Sequence, residues 1–262
     1  MDLGLKGQRA LVTGASKGLG RSIALTLAEE GMNVDITARS AADLESVRAD
    51  ILSRHNVDVR VFPLDLSRSA SVAALVKVCG DNDVLVNNAG AIPRGFLHEV
   101  DEQQWRTAWD LKVFGTINMT RAFYATMKSR RRGVIINIIG MAGEWLDADY
   151  LCGSTGNAAL IAFTKAVGGV SSRDGIRVVG INPGPFWTPR AEETMRKTAR
   201  VRLGDEERYG EIVKSMKLPF DRFGTPEEIA GQAAFLASDR AGYISGEVVN
   251  IDGGHLYSQA MF

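Results

Sequence analysis

The chain is predicted to be an α/β protein built on a doubly wound, parallel, seven-stranded sheet, and three observations predict it. Short β-rich runs alternate with helix-length segments almost from the first residue. Those runs are apolar nearly throughout, and the first ends in a glycine-rich turn that leads straight into a helix. Such alternation is the pattern of repeated βαβ units, and strands that are apolar on both sides are those covered by helices on both faces.

Taken in order, the first strand is expected over 9–14, where Arg-Ala-Leu-Val-Thr-Gly closes on a turn residue, with a helix over 21–30 behind it. A second strand at 33–39 feeds a helix at 41–54, and a third strand runs over 57–65. The fourth, 83–90, carries Val84-Leu85-Val86 and leads to a long helical stretch at 102–128. The fifth, 133–140, carries Val134-Ile135-Ile136, and a helix follows over 157–171. A sixth strand at 176–184, a helix at 226–238 and a seventh strand at 247–252 complete the series. One segment breaks the rhythm: 188–221 is polar and basic (Arg190, Arg196, Lys197, Arg200, Arg202) and lies beyond the carboxyl end of the sixth strand. Ligands of open α/β sheets sit at that edge, so the segment reads either as a substrate loop or lid, or as a solvated pair of surface helices.

At 262 residues the chain is long enough for one large domain, and no linker, repeat or low-complexity tract divides it. Lys and Arg together number 31, as do Asp and Glu, so the formal charge is zero. That balance gives no reason to expect nucleic acid or an anionic membrane as partner. No apolar run approaches the roughly 20 residues of a membrane span, and the first residues do not resemble a signal peptide. Cys79 and Cys152 read as reduced core thiols, and His55, His98 and His255 lack metal-ligand spacing. A metal-free cytoplasmic protein with a small-molecule substrate is the expectation.

The turn after the first strand reads Thr13-Gly14-Ala15-Ser16-Lys17-Gly18-Leu19-Gly20. Glycines there allow a tight turn and let backbone N–H groups approach a phosphate at the helix N-terminus, where the dipole favours negative charge. The spacing TGxxxGxG resembles the short-chain dehydrogenase/reductase family, and further matches follow in that family's order. They are Asp65-Leu66, Asn87-Asn88-Ala89-Gly90, Pro183-Gly184 with Thr188, Arg222-Phe223-Gly224-Thr225-Pro226-Glu227-Glu228, and Asp252-Gly253-Gly254. The resemblance implies a Rossmann-type fold and a dinucleotide held by Gly14, Ser16, Lys17, Gly18, Leu19, Gly20, Asp65, Leu66, Asn88, Ala89, Gly90, Pro183, Gly184 and Thr188. In it, Asp65 would contact adenine and Thr188 the nicotinamide carboxamide. It also implies a homotetramer or, failing that, a dimer, with the helices around 102–128 and 150–170 at one interface.

Charge speaks to the kind of dinucleotide. NAD-selective sites place an acid at the end of the second strand. Here that position is Ala38, followed by Arg39, while Lys17 stands inside the glycine-rich turn. Two cations and no opposing carboxylate suit a 2′-phosphate, hence NADP(H).

The same resemblance implies four chemical side chains: a tyrosine that exchanges a proton with substrate, a lysine four residues later, a serine after the fifth strand and an asparagine on the preceding long helix. Counting from the flanking motifs puts these at Gly153, Asn157, Gly140 and Lys112, so all four residue types are changed. Tyr150 lies three residues before Gly153, but four beyond it stands Ser154, so no shift of register restores a Tyr–Lys pair. A helix places i and i+4 on one face, which is why that spacing matters.

Three readings follow. One is an NADP(H)-dependent oxidoreductase for a small carbonyl or alcohol with relocated acid/base groups, its candidates being Lys112, with room to enter the space left at 140, 153 and 157, and Tyr150, Asp147, Asp149 or Glu144. For Lys112 the plainer alternative is a lysine snorkelling on the helix surface. The second is an inactive NADP(H)-binding sensor or regulatory protein; the third is a lyase or isomerase reusing the pocket. Ser154 and Thr155 read as helix N-caps rather than nucleophiles, Cys152 as a core residue, and Trp145 and Trp187 either as pocket lining or as packing.

Overall fold

The computed structural model describes residues 1–258. Seven strands form one parallel sheet in the order β3-β2-β1-β4-β5-β6-β7. They are β1 Arg9–Thr13, β2 Asn33–Ala38, β3 Val59–Pro63, β4 Val84–Asn87, β5 Gly133–Ile138, β6 Ile176–Pro183 and β7 Val248–Ile251. Each predicted strand is present, shortened by the turn residues at its ends. The helices are α1 Gly18–Glu29, α2 Ala41–Arg54, α3 Ser69–Cys79, α4 Glu102–Trp109, α5 Gly115–Arg130, α6 Leu151–Ser171, α7 Pro189–Leu203, α8 Tyr209–Ser215 and α9 Pro226–Ala237. Among the described residues no helix is long and apolar enough to cross a membrane.

Alternate strand residues enter opposite cores, as the two-residue period of a strand requires. Val12, Val84, Val86 and Ile136 pack with Ile23, Leu27 and the alanines of α9 on one face. Leu11, Leu85 and Ile135 pack with Leu75, Met119, Phe123 and Met127 on the other. Burial on both faces explains why the strands read as continuous apolar runs.

Several expectations are corrected. Helix α3 was not anticipated, because its Ser-Ala-Ser start resembles a loop. The long stretch expected at 102–128 is interrupted by a π-helical turn over Asp110–Phe114, where the Gly115 N–H reaches the Asp110 carbonyl. Such wide turns are uncommon and cluster at functional sites. Helix α6 begins at Leu151, six residues earlier than expected, so Ser154 and Thr155 lie inside it and cap nothing. The Ser154 hydroxyl instead accepts from the Asp147 N–H, and the Thr155 hydroxyl donates to the Leu151 carbonyl. The 188–221 segment is mostly helical: Thr188 caps α7, Pro189 occupies its first turn, and α8 follows.

At the amino ends of the strands one buried carboxylate collects four hydrogen bonds. Asp35, fully buried in β2, lies opposite Arg60 of β3 in the parallel register. Its oxygens accept from Arg60 Nε at 2.7 Å and Nη2 at 2.5 Å, Arg9 Nη1 at 2.9 Å and Asn82 Nδ2 at 2.9 Å. Burial alone would raise this carboxyl; the Arg60 and Asn82 hydrogen bonds and the Arg60 and Arg9 charges outweigh it and hold the group below its usual 3.8. A carboxyl depressed in the folded state stabilises the fold above its unfolded value, and that contribution is lost as pH falls through the folded value. Urea midpoints are therefore expected to decline below about pH 4, and Asp35→Asn to flatten that acid limb while costing about 3–5 kcal/mol at neutral pH. An unchanged acid limb in Asp35→Asn would remove Asp35 as its source.

Candidate functional site

Strand order reverses between β1 and β4, and the crevice beyond their carboxyl ends is where an open α/β sheet receives a ligand. A cleft of about 810 Å³ opens there. Its wall includes Gly14, Ser16, Lys17, Gly18 and Leu19 from the first turn, Ala38, Arg39 and Ser40 after β2, and Leu64 and Leu66 after β3. Asn88, Ala89 and Gly90 follow from the end of β4, with Ile92 and Pro93 beyond, and Thr188 and Arg190 stand at the start of α7.

The turn is shaped by close packing. Gly14 has φ +64°, and a Cβ there would stand 2.9 Å from the Ala89 Cα, so no side chain fits between β1 and β4. The Thr13 hydroxyl accepts from the backbone N–H groups of Asn88 (2.9 Å) and Ala89 (3.0 Å). Asn88 Nδ2 donates back to the Thr13 (3.0 Å) and Gly14 (3.1 Å) carbonyls. Asn87 continues inward, donating to Thr120 and to Asn137, which in turn donates to Thr164. This chain of side chains stitches β4 to α5, β5 and α6 beneath the cleft floor.

Of the residues the resemblance assigned to the dinucleotide, most stand on the wall. Gly20 does not: it packs under Asn88 and the Gly14 carbonyl, 2.4 Å from where a Cβ would be. The Asp65 carboxylate is turned to the Ser67 N–H and hydroxyl, leaving Leu64 and Leu66 to form that part of the wall. Pro183 and Gly184 lie behind it, with Gly184 pressed against Asp252. Arg190 and Ile92 were not singled out by the sequence pattern, Arg190 being one of eight basic residues in its segment.

Lys112, Gly140 and Asn157 come together at the end of β5. Lys112, in the π turn, runs beneath Gly90, where a Cβ would meet its Cδ at 2.6 Å. Its Nζ donates to the carbonyls of Ile138 (3.0 Å) and Ile139 (2.8 Å). The side chain is turned inward rather than snorkelling. Burial first, and the neighbouring Arg190 charge second, bring its ammonium down to about 8. Gly140 has φ +142°, and a Cβ there would lie 2.9 Å from Asn157 Nδ2. Asn157 is buried, and its Oδ1 has no hydrogen-bond partner among the described residues.

The space at Gly153 is filled by Tyr150, not by Lys112. A Cβ at Gly153 would fall 2.1 Å from Tyr150 Cε1 and 2.2 Å from its Cζ. The other side of the ring meets Arg94, whose Cζ is 5.2 Å from the centroid. Arg94 is itself held by Asp147 at 2.6 Å and by Asp149. Burial pushes the Tyr150 phenol up, while Arg190 and Arg94 pull it back. Arg190 also donates to the Ile92 carbonyl, joining α7 to the loop after β4 across the cleft. Glu144 accepts from Asn182 and Asn250. Cys79 and Cys152 are buried with thiols pushed up by desolvation, so neither is an activated nucleophile. Trp187 packs on Tyr209 and Phe223, and Trp145 on His255; neither forms part of the cleft wall.

Comparison with known proteins agrees with this architecture. Residues 8–199 match the short chain dehydrogenase family. The chain is 35% identical over 261 residues to a putative ketoacyl reductase of the monensin polyketide synthase from Streptomyces virginiae, covering 94% of this chain and 95% of that protein. It is 32% identical over 252 residues to the 3-oxoacyl-acyl-carrier-protein reductase of Staphylococcus aureus, covering 94% and 96%. L-sorbose reductase from Gluconobacter frateurii, solved with NADPH and L-sorbose, superposes with a TM-score of 0.90 at 30% identity, covering 98% of this chain and all of that one. The glycine-rich turn, the Asn87–Gly90 link to it and this likeness along nearly the whole length make the chain a member of the short-chain dehydrogenase/reductase family.

Proposed function

We propose that this protein is an NADP(H)-dependent oxidoreductase that interconverts a small carbonyl compound and its alcohol, with an acid–base site rebuilt from groups other than a Tyr–Lys pair. The observation that carries the reading is the continuity of one cleft from Arg39 to Arg190. Its volume is that of an ordinary small-molecule site, and the solved sorbose reductase holds NADPH.

The residues present fit the dinucleotide. Arg39, Lys17 and Ser40 line the cleft near the end of β2 and would pair with a 2′-phosphate, and Ala38 offers no acid to repel it. Asp43 and Glu193 are also on the wall, but neither is at the end of β2. Backbone N–H groups at the start of α1 would hold the pyrophosphate. The orphaned Asn157 Oδ1 would accept from a ribose hydroxyl, and a buried acceptor without a partner is costly unless a ligand supplies one. When bound, NADPH supplies the hydride; the chain must supply a proton and exclude water.

The altered positions fit one another. The Asn157 amide takes the room that Gly140 leaves, the Tyr150 ring covers Gly153, and Lys112 passes under Gly90 to the end of β5. A site that had merely lost its side chains would show voids, which close-packed interiors avoid. This mutual fit favours a rebuilt site over a decayed one. The change of all four expected side chains favours the competing reading, an inactive NADP(H)-binding protein, and turnover separates the two.

NADPH oxidation is expected with at least one member of a panel of ketones and aldehydes; tight NADPH binding with no turnover across the panel would favour the inactive reading. Arg39→Ala should weaken NADPH binding about tenfold to a hundredfold, as loss of a charge-assisted hydrogen bond would, with NADH binding nearly unchanged. Equal loss for both cofactors would dismiss the 2′-phosphate assignment. In urea denaturation Gly153→Ala should cost about 1–3 kcal/mol by forcing a methyl into the Tyr150 ring. Added to Tyr150→Ala it should cost little, because the ring is then gone.

A further inference from the structure

We propose that the inner end of the cleft, between Gly90 and Arg190, selects a carbonyl substrate that carries a carboxylate, with Arg190 holding that carboxylate. The inference names a substrate class for the oxidoreductase reading and rests on it.

Charge pairing carries it. Arg190 stands on the cleft wall at the start of α7, and its guanidinium donates to the Ile92 carbonyl on the loop after β4. That bond fixes the cation across the cleft and leaves its charge unmatched. Lys112 passes beneath Gly90, two residues before Ile92, and its ammonium donates to the Ile138 (3.0 Å) and Ile139 (2.8 Å) carbonyls. Two cations thus meet the same short stretch of chain, and among the described residues neither forms an ion pair. Lys112 is withdrawn from water, where a cation without a counter-ion is costly. An anion held at Arg190 would bring negative charge to both.

The acids nearby are already committed. Glu193, one turn along α7 and also on the wall, is bound by Lys197 at 2.6 Å. Asp147 and Asp149 hold Arg94, and Glu144 accepts from Asn182 and Asn250. The phosphates of a dinucleotide have their own partners at the other end, in Lys17, Arg39 and the start of α1. The start of α7 does approach the glycine-rich turn, with Thr188 Cβ 3.8 Å from where a Cβ at Gly18 would be. Arg190, however, reaches past that turn to Ile92. Ile92, Pro93 and Leu111 line the cleft as well and would receive a short carbon chain. A guanidinium can bind a carboxylate through two parallel hydrogen bonds, so an oxo acid held in this way would present its carbonyl in one orientation.

The test compares oxo acids with their methyl esters, acetoacetate and levulinate being the first pairs, in NADPH oxidation and in calorimetric binding to the protein saturated with NADP⁺. Each acid should exceed its ester in kcat/KM about tenfold to a hundredfold, as a charge-assisted hydrogen bond would give. Arg190→Met should bring that ratio close to one, and Arg190→Lys should recover part of it. An ester used as well as its acid by the unaltered protein overturns the proposal, as does a ratio that survives Arg190→Met. Arg190→Met that weakens NADPH binding and leaves the ratio intact gives Arg190 to the cofactor instead. A preference for dihydroxyacetone phosphate over the oxo acids overturns the carboxylate and makes phosphate the recognised group. If nothing is turned over, the oxidoreductase reading fails on its own, and the calorimetry still decides the anion site. Acid that binds where its ester does not upholds that site, and equal or absent binding sinks it.

Discussion

The bond pattern between Thr13 and Asn88 is the constraint on which the rest of this molecule depends. It ties the end of β1 to the end of β4 at the one place where the sheet reverses its order. A parallel sheet leaves a gap there because the connections depart to opposite faces. With the glycine-rich turn fixed on one lip and Asn88-Ala89-Gly90 on the other, the gap acquires a constant width. Gly14 sets the closest approach, since any side chain would part the lips. Below, the ladder Asn87–Asn137–Thr164 carries the constraint to α6, and with it to the group of residues at the end of β5.

The fold was legible because each of its causes is local. Apolar runs such as Val84-Leu85-Val86 declare two-sided burial, and the glycine at 14 declares where backbone must come close. The cleft was legible for the same reason, and Lys17 and Arg39 stand on its wall as expected. What the sequence hid was direction. Asp65 turns to Ser67, a preference set by a hydroxyl two residues on. The inward path of Lys112 depends on a π-helical turn, which has no clear signature in composition. The start of α6 at Leu151 was missed because Gly153 and Gly156 are poor helix formers; tertiary packing against Trp109 and Tyr150 overrides that preference.

The charges near the cleft divide into two kinds. Arg94 is spent on Asp147 and Asp149 and acts mainly as a support for an aromatic ring. Among the described residues Arg190 has only the Ile92 backbone carbonyl as a hydrogen-bond partner, and its charge bears on both Lys112 and Tyr150. A cation hydrogen-bonded to a neutral acceptor keeps its charge available to whatever binds beside it. Its seat at the start of α7 places that charge on the segment that follows the sixth strand, away from the sheet itself.

The contact between Tyr150 and Gly153 makes the two positions interdependent. A ring cannot settle over position 153 while any larger residue stands there, and once it has settled no larger residue can return. The two positions are thus coupled. A larger residue at 153 and the Tyr150 ring in this place exclude each other, so a change at 153 alone meets a cost that a change at both would not.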